Sequence, residues 1–308
     1  MWYSKRHFLP EGKTAVIVGG SQGVGYEIAL QLADKGCTVV LVARTESKLK
    51  AKAALIEAET NSTAEYLACD VSDYDSCEHF WAKLDALDLD PDYLFCCAGS
   101  AVPKLFGDMT KDDLNQGVDL NYRTAANMCH TWWGRIRAEG KPEKPRHIVL
   151  FSSVLGWFPF IGYGQYAPMK QAVASLSVIL RQELSPFGFR VSCVFAGNFL
   201  SEGYDEEQKT KPEITKIIEG PSNPITGQEC AATILDQLAK GYDTITTDFI
   251  GWVLWCSVLG VFVPRKWNFF QVIMSLLLAI VGPMVNLDIN KKIYDYFATQ
   301  KAKTTKSE

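Results

Sequence analysis

The sequence lacks the spacings that hold metal ions and the charge that holds nucleic acid. Its nine cysteines, Cys37, Cys69, Cys77, Cys96, Cys97, Cys129, Cys193, Cys230 and Cys256, form no paired CxxC motifs, which excludes the common zinc-site patterns. Most stand in apolar runs, as buried free thiols do, and this fits a reducing compartment better than a disulfide framework. A net charge of −4 and a pI of about 5.7 leave no basic surface for nucleic acid. The opening stretch MWYSKRHFLPEGK has no apolar core of a secretory signal. Internal repeats and low-complexity linkers are also missing.

What is there is an alternation. Short apolar runs at Thr14–Val18, Thr38–Val42, Ala64–Cys69, Asp92–Ala98, Arg146–Phe151 and Phe189–Ala196 read as strands, and TITTDF adds a seventh. Between them, Gly25–Gly36, Glu46–Glu59, Tyr74–Leu87, Asp112–Glu139, Tyr166–Leu184 and Gln228–Lys240 carry helical spacing. The expected fold is therefore α/β, a Rossmann-type doubly wound parallel sheet of about seven strands with helices on both faces. Ligands of such a sheet bind beyond the carboxyl ends of its strands. Asn198–Pro224 is long, polar and proline-bearing, and is expected to be a loop that closes over the substrate.

The first strand ends in GGSQGVG, Gly19–Gly25, which opens directly into a helix. Gly19, Ser21, Gln22, Gly23 and Gly25 are the expected pyrophosphate cradle, because a tight glycine turn and a helix N-terminus both present N–H groups to an anion. The second strand ends in VART. Arg44 stands where an acidic residue would accept the ribose 2′-hydroxyl, and its planar fork suits a 2′-phosphate instead. Lys48 adds a second positive charge. NADPH is thus the expected cofactor. In CDVSD, Asp70 and Val71 stand at the adenine position; Asp70 serves either as acceptor for the adenine amino group or as a helix N-cap, a role for which Ser72 competes.

Tyr166 and Lys170, in YGQYAPMK, are four residues apart and share a helix face. An ammonium beside a phenol lowers the phenol pKa toward the working range. Pro168 is tolerated if the helix begins near Tyr166. Ser153, thirteen residues before Tyr166 in LFSSVLG, places a hydroxyl for a carbonyl oxygen. Asn121, in VDLNYRTA, is a polar residue within a long helix.

In this order and spacing, the glycine turn, Asn121, Ser153, Tyr166 and Lys170 resemble the short-chain dehydrogenase/reductase superfamily over about Lys13 to Phe249. The resemblance implies that Tyr166 donates the proton, Ser153 positions the carbonyl, Lys170 tunes the tyrosine and holds the nicotinamide ribose, and Asn121 supports a proton-relaying water. Ser152 is the less favoured serine. Three positions depart from the superfamily pattern: Val18 replaces a threonine, Cys96-Cys97-Ala98-Gly99 replaces Asn-Asn-Ala-Gly, and Ala196-Gly197 replaces Pro-Gly. GGSQGVG, CCAGSAVPKLF, IGYGQYAPMK, the run from Phe195 to Ser222 and TDFIGW together resemble the fungal 3-ketodihydrosphingosine reductase family, over nearly the whole chain. That implies NADPH-dependent reduction of a long-chain keto sphingoid base, 3-ketosphinganine, to sphinganine at the cytosolic face of the endoplasmic reticulum. Superfamily resemblance further implies a homo-oligomer. The rival readings are a membrane-bound steroid or retinoid carbonyl reductase, and a nucleotide-binding scaffold without catalysis.

The C-terminal composition agrees with a lipid substrate. Residues 1–248 are expected to form the catalytic domain, 249–287 the hydrophobic membrane-associated segments and 288–308 a lysine-rich tail. Phe249–Val263 and Phe269–Leu287 carry no charge. The second would span about 28 Å as a helix, close to a hydrocarbon core of about 30 Å, and the first only about 22 Å. Trp252, Trp255 and Trp267 suit a lipid interface, and the lysines after Asp288 favour a cytoplasmic tail.

Overall fold

The computed structural model describes residues 8–60, 62–140, 144–259 and 268–307. The opening residues 1–7, Trp267 and the end of the first apolar run at 260–263 lie outside the described residues. Seven parallel strands form one sheet: Thr14–Val18 (β1), Thr38–Ala43 (β2), Ala64–Ala68 (β3), Tyr93–Cys96 (β4), Arg146–Ser153 (β5), Phe189–Ala196 (β6) and Thr244–Thr246 (β7). Their order is β3-β2-β1-β4-β5-β6-β7. The chain reverses direction of travel between β1 and β4, and the crevice at that point is where such sheets bind nucleotides.

Side chains alternate across each strand, and this divides the core in two. Ala15, Ile17, Val39, Leu41, Val149 and Phe151 face one layer, while Val16, Val18, Val40, Val42, Ile148 and Leu150 face the other. Every one of them is buried, which is why the strands read as unbroken apolar runs. The first layer is closed by Gly23–Asp34 (α1), Glu46–Glu59 (α2) and, further along the chain, Gly227–Ala239. The second is closed by Tyr74–Ala86 (α3), then by a helical rod made of Lys111–Val118 (α4) and Thr124–Ala138 (α5), and by Ala167–Leu184 (α6). Trp81 of α3 stacks on Trp132 of α5 at 5.7 Å, and its indole N–H donates to Thr131 Oγ1 at 2.8 Å.

The rod from Lys111 to Ala138 is expected from sequence as one long helix. It is joined by a π-helical turn, Asp119–Arg123, which carries Asn121. Such widened turns re-aim side chains within a helix and concentrate at functional sites.

Asn198–Pro224, expected as a loop, instead contains two helices, Glu202–Thr210 (α7) and Glu213–Glu219 (α8). Ser201 caps α7 by accepting from the Tyr204 N–H at 3.1 Å. Pro212 forces an extended corner at Lys211 and then opens α8. The two ends of the segment are tied together by Leu200 N–H donating to Ile225 O at 2.8 Å. The polar composition that reads as a loop is that of two short, half-exposed helices folded over the sheet.

Gly227–Ala239 (α9) precedes β7, and Phe249–Ser257 (α10) follows it, capped by Asp248. The described part of the first apolar run is thus a short helix on the domain rather than a span. Gly251, Trp255 and Cys256 are buried, and Trp255 joins the second core layer, while Phe249 and Ile250 are exposed. Asn268–Ser307 (α11) docks by its first turn, where buried Gln271 shares a cavity of about 390 Å³ with Gln237 of α9 and Trp252 and Trp255 of α10. Beyond that turn its large apolar side chains are exposed, among them Leu276, Leu277, Ile280, Met284 and Leu287. Among the described residues, Phe269–Lys303 is the helix long and apolar enough to cross a membrane; an 18-residue stretch of it has a mean hydropathy of 2.1 and none of that stretch is buried. A helix apolar on all sides and uncovered by protein fits a bilayer.

Candidate active site

The residues singled out by sequence gather along the carboxyl edge of the sheet. At β1, the turn Gly19–Gly25 is built on close backbone contacts. A Cβ on Gly25 would stand 2.4 Å from the Gly19 carbonyl oxygen, and Gly23 holds φ at +55°. Both positions therefore need glycine. Ser21 and Gln22 are half-buried in the turn. No side chain caps α1, so its first-turn N–H groups remain available to an anion. This arrangement fits a pyrophosphate.

Arg44, exposed at the end of β2, lines a cavity of about 820 Å³ together with Asp70, Phe80 and Lys83. Lys48 is exposed on the first turns of α2 and does not line that cavity. Neither Asp70 nor Ser72 is a helix cap, contrary to that alternative. Asp73 caps α3 by accepting from the Ser76 N–H at 2.8 Å. Asp70 Oδ1 instead accepts from the Ser72 N–H and hydroxyl, because a carboxylate two residues back closes a local turn more easily than it reaches the helix. Val71 is buried behind this turn, its carbonyl accepting from Asn127 Nδ2 at 3.3 Å.

The four chemical residues converge between β4, β5 and α6. Asn121 is 1% exposed; it accepts from the Ser100 N–H and donates to the Ser100 carbonyl, both at 3.0 Å. Lys170, buried on α6, donates to the Phe151 carbonyl at 3.0 Å. Ser152 spends its hydroxyl on the Lys170 carbonyl at 2.7 Å, which locks α6 to β5. Ser153 accepts from the Leu155 N–H at 3.2 Å and donates to the Ala196 carbonyl at 3.4 Å, and its hydroxyl is near enough to the Tyr166 phenol to favour the phenolate. Tyr166 is the N-cap residue of α6, with Pro168 in the first turn, so the helix starts where the tyrosine needs it. Lys170 Nζ lies 5.4 Å from the Tyr166 ring centre.

The electrostatics differ from the sequence expectation. Burial pushes the Tyr166 phenol above its ordinary value and the charge of Glu207 adds to this, opposed by the Ser153 hydroxyl. Lys170 is not the group that sets it here. Burial in turn pulls Lys170 down to about 8. The ammonium is turned toward the Phe151 carbonyl, so its field on the phenol is weaker than the four-residue spacing implies.

The three departures have local explanations. Val18 is fully buried in β1, and Cys96 and Cys97 pack where polar side chains were expected. Gly197 N–H donates to Thr247 Oγ1 at 2.9 Å, which fastens the end of β6 to the end of β7 where a proline would have stiffened it.

Glu207, Lys211, Glu219 and Tyr163 were not foreseen. Tyr163 donates to Glu207 Oε1 at 2.5 Å, and its ring lies 6.3 Å from that of Tyr166. Lys211, with a side chain 1% exposed, lies 3.1 Å from Glu207 and 2.6 Å from Glu219. Burial alone would pull the Lys211 ammonium down, but Glu219 and Glu207 outweigh it and raise it above its usual value.

A dinucleotide turn, a serine–tyrosine pair and a buried lysine on a seven-stranded parallel sheet define a short-chain dehydrogenase, and the model of the short chain dehydrogenase family matches residues 13–212. The NADPH complex of a short-chain dehydrogenase from Sphingobium yanoikuyae shares the fold at a TM-score of 0.69, with 24% identity over 80% of this chain and 92% of that one. The chain is 51% identical to the 3-ketodihydrosphingosine reductase TSC10 of Debaryomyces hansenii, over 97% of its length and 94% of the relative's. It is 40% identical to the same-named reductase of Saccharomyces cerevisiae over 85% and 89%. The chain belongs to the short-chain dehydrogenase family and, within it, to the 3-ketodihydrosphingosine reductases.

Proposed function

We propose that the chain reduces the ketone of 3-ketodihydrosphingosine to the alcohol with NADPH, on the cytosolic face of the endoplasmic reticulum membrane. The observation that carries this reading is the convergence of Ser153, Tyr166 and buried Lys170, whose Nζ lies 5.4 Å from the tyrosine ring centre, in a chain half identical to a reductase of that name.

The dihydronicotinamide, when bound, supplies a hydride to the carbonyl carbon. The residues supply the rest. The Ser153 hydroxyl and the Tyr166 phenol receive the ketone oxygen between them. As negative charge grows on that oxygen, Tyr166 passes it a proton, and the ketone with one hydride and one proton becomes the alcohol. The raised phenol value keeps that proton in place at neutral pH. The Lys170 ammonium, which meets Asn121 Oδ1 over Gly99, returns a proton to the phenolate and regains one from solvent. The glycine turn and the α1 N-terminus support the pyrophosphate, and Arg44 supports the 2′-phosphate.

The exposed apolar length of α11 supports membrane attachment. A helix continuous from Asn268 to Ser307 that crosses once puts its two ends on opposite faces. With the catalytic domain on the cytosolic face, the lysine-rich tail then emerges on the other side, against the expectation from its charge. The length of apolar surface supports this reading over the one drawn from the tail lysines.

The test is the purified protein in mild detergent, followed by NADPH absorbance with 3-ketodihydrosphingosine. Rapid oxidation is expected. NADPH binding without turnover would overturn the substrate assignment and direct attention to steroid and retinoid carbonyls.

A further inference from the structure

The α7–α8 cover holds a charge imbalance against the catalytic tyrosine. Among the described residues, Glu207 and Glu219, with side chains 15% and 16% exposed, face a single buried cation, Lys211, and their other hydrogen-bond partners are neutral. Tyr163 donates to Glu207, and Asn198 Nδ2 donates to Glu219 at 2.8 Å. One surplus negative charge is therefore held in a largely desolvated place, where an uncompensated charge is costly.

The position of the surplus is specific. α7 starts beside the glycine turn, since a Cβ on Gly23 would stand 3.6 Å from Ser201 Cβ. The helix ends at Lys211, against Tyr163, whose ring is 6.3 Å from that of Tyr166. Glu207 is close enough for its charge to act on the Tyr166 phenol. Lys170, a cation on α6, lies 5.4 Å from the Tyr166 ring centre. A ketone held between Ser153 and Tyr166 is thus within reach of a positive charge from α6 and a negative charge from the α7–α8 cover.

The proposed substrate carries a primary ammonium on the carbon next to its ketone. That cation is repelled by Lys170 and attracted by the cover. We propose that Glu207 accepts the substrate ammonium and thereby orients the ketone and selects 2-amino ketones over simple ketones. This rests on the reaction proposed above. Glu219 shares Lys211, which leaves Glu207 with capacity for a second cation.

The experiment compares the wild type with Glu207→Gln in mild detergent, using NADPH and two ketones of equal chain length. One is 3-ketodihydrosphingosine and the other is its analogue without the amino group. The readout is the ratio of kcat/KM for the amino ketone to that for the analogue. The wild-type ratio is expected to be about tenfold or more, and the variant ratio to fall toward one through a rise in the amino ketone's KM. A wild-type ratio near one overturns the proposal. So does a variant that loses both activities in equal proportion, because that is the result of a merely structural ion pair. If Glu207→Gln does not fold, as judged by NADPH binding, Glu207→Ala, which also removes the charge, carries the same comparison. Failure of the wild type to reduce either ketone removes the reaction itself, and that result is distinct from a ratio of one.

Discussion

Asn121 Oδ1 and Lys170 Nζ meet at Gly99: each lies 2.8 Å from the point where a Cβ on that glycine would stand. The two side chains come from a π-helical turn and from α6, and the glycine is the floor that lets them approach. Gly99 itself holds φ at +153°. The Cys96-Cys97-Ala98-Gly99 stretch thus keeps the feature this site needs, the missing side chain, although its two asparagines are replaced.

Gly99→Ala is expected to displace Lys170 and Asn121 together. Loss of roughly a hundredfold in kcat is expected, with NADPH affinity changed far less, as for other misplacements of about an ångström. Single-turnover kinetics beside a fluorescence titration of NADPH will separate the two. An unchanged kcat would mean that the lysine and asparagine do not act in the proton path.

Tyr166→Phe removes the proton donor and little volume. Turnover is expected to fall roughly a thousandfold while NADPH still binds. Full activity in the variant would take the phenol out of the mechanism.

Arg44→Ala is expected to raise the KM for NADPH by about tenfold and leave that for NADH nearly as it was, because only NADPH carries the 2′-phosphate. Equal changes for both cofactors would sink the assignment.

The pH profile follows from two shifts of opposite sense. Lys170 sits below its usual value, so it gives up its proton as pH rises through about 8. Tyr166 sits above its usual value and keeps its proton there. kcat/KM for reduction is therefore expected to be level near neutrality and to fall above about pH 8. Lys170→Arg, charged throughout, is expected to abolish that fall even with lower absolute activity. A wild-type profile level to pH 10 would contradict it.

Membrane topology gives a separate check. In sealed microsomes, protease added outside is expected to digest the catalytic domain and spare a tag placed after residue 308. Digestion of the tag as well would mean that α11 lies along the membrane surface rather than across it.

How much of this was legible varies with the range of the interactions. β1 and β6 have the bounds expected from sequence, because burial on both faces of a parallel sheet writes a largely apolar run, and α2 has its expected bounds because its Ala- and Lys-rich stretch is strongly helix-forming. The two-helix cover was not legible. Glu206, Glu207, Lys209 and Lys211 read as solvated charges, and Glu206–Lys209 is indeed an exposed pair. Both that pair and Glu207–Lys211 have ordinary helical spacing, and burial separates them. The first apolar run was ambiguous for the same reason: Trp255 is buried and Phe249 exposed within a single helix.

The sequence by itself determined the alternation of strand and helix, the glycine turn and the spacing of Tyr166 and Lys170, since each depends on periods of two to four residues. Tertiary structure alone decided that Asn121 would bridge Ser100, that Lys170 would turn to the Phe151 carbonyl, and that Glu207 would take the Tyr163 hydroxyl beside Tyr166. Those contacts join segments that only the strand order β3-β2-β1-β4-β5-β6-β7 brings together. Their energies depend on burial, and burial is a property of the assembled layers rather than of any stretch of chain.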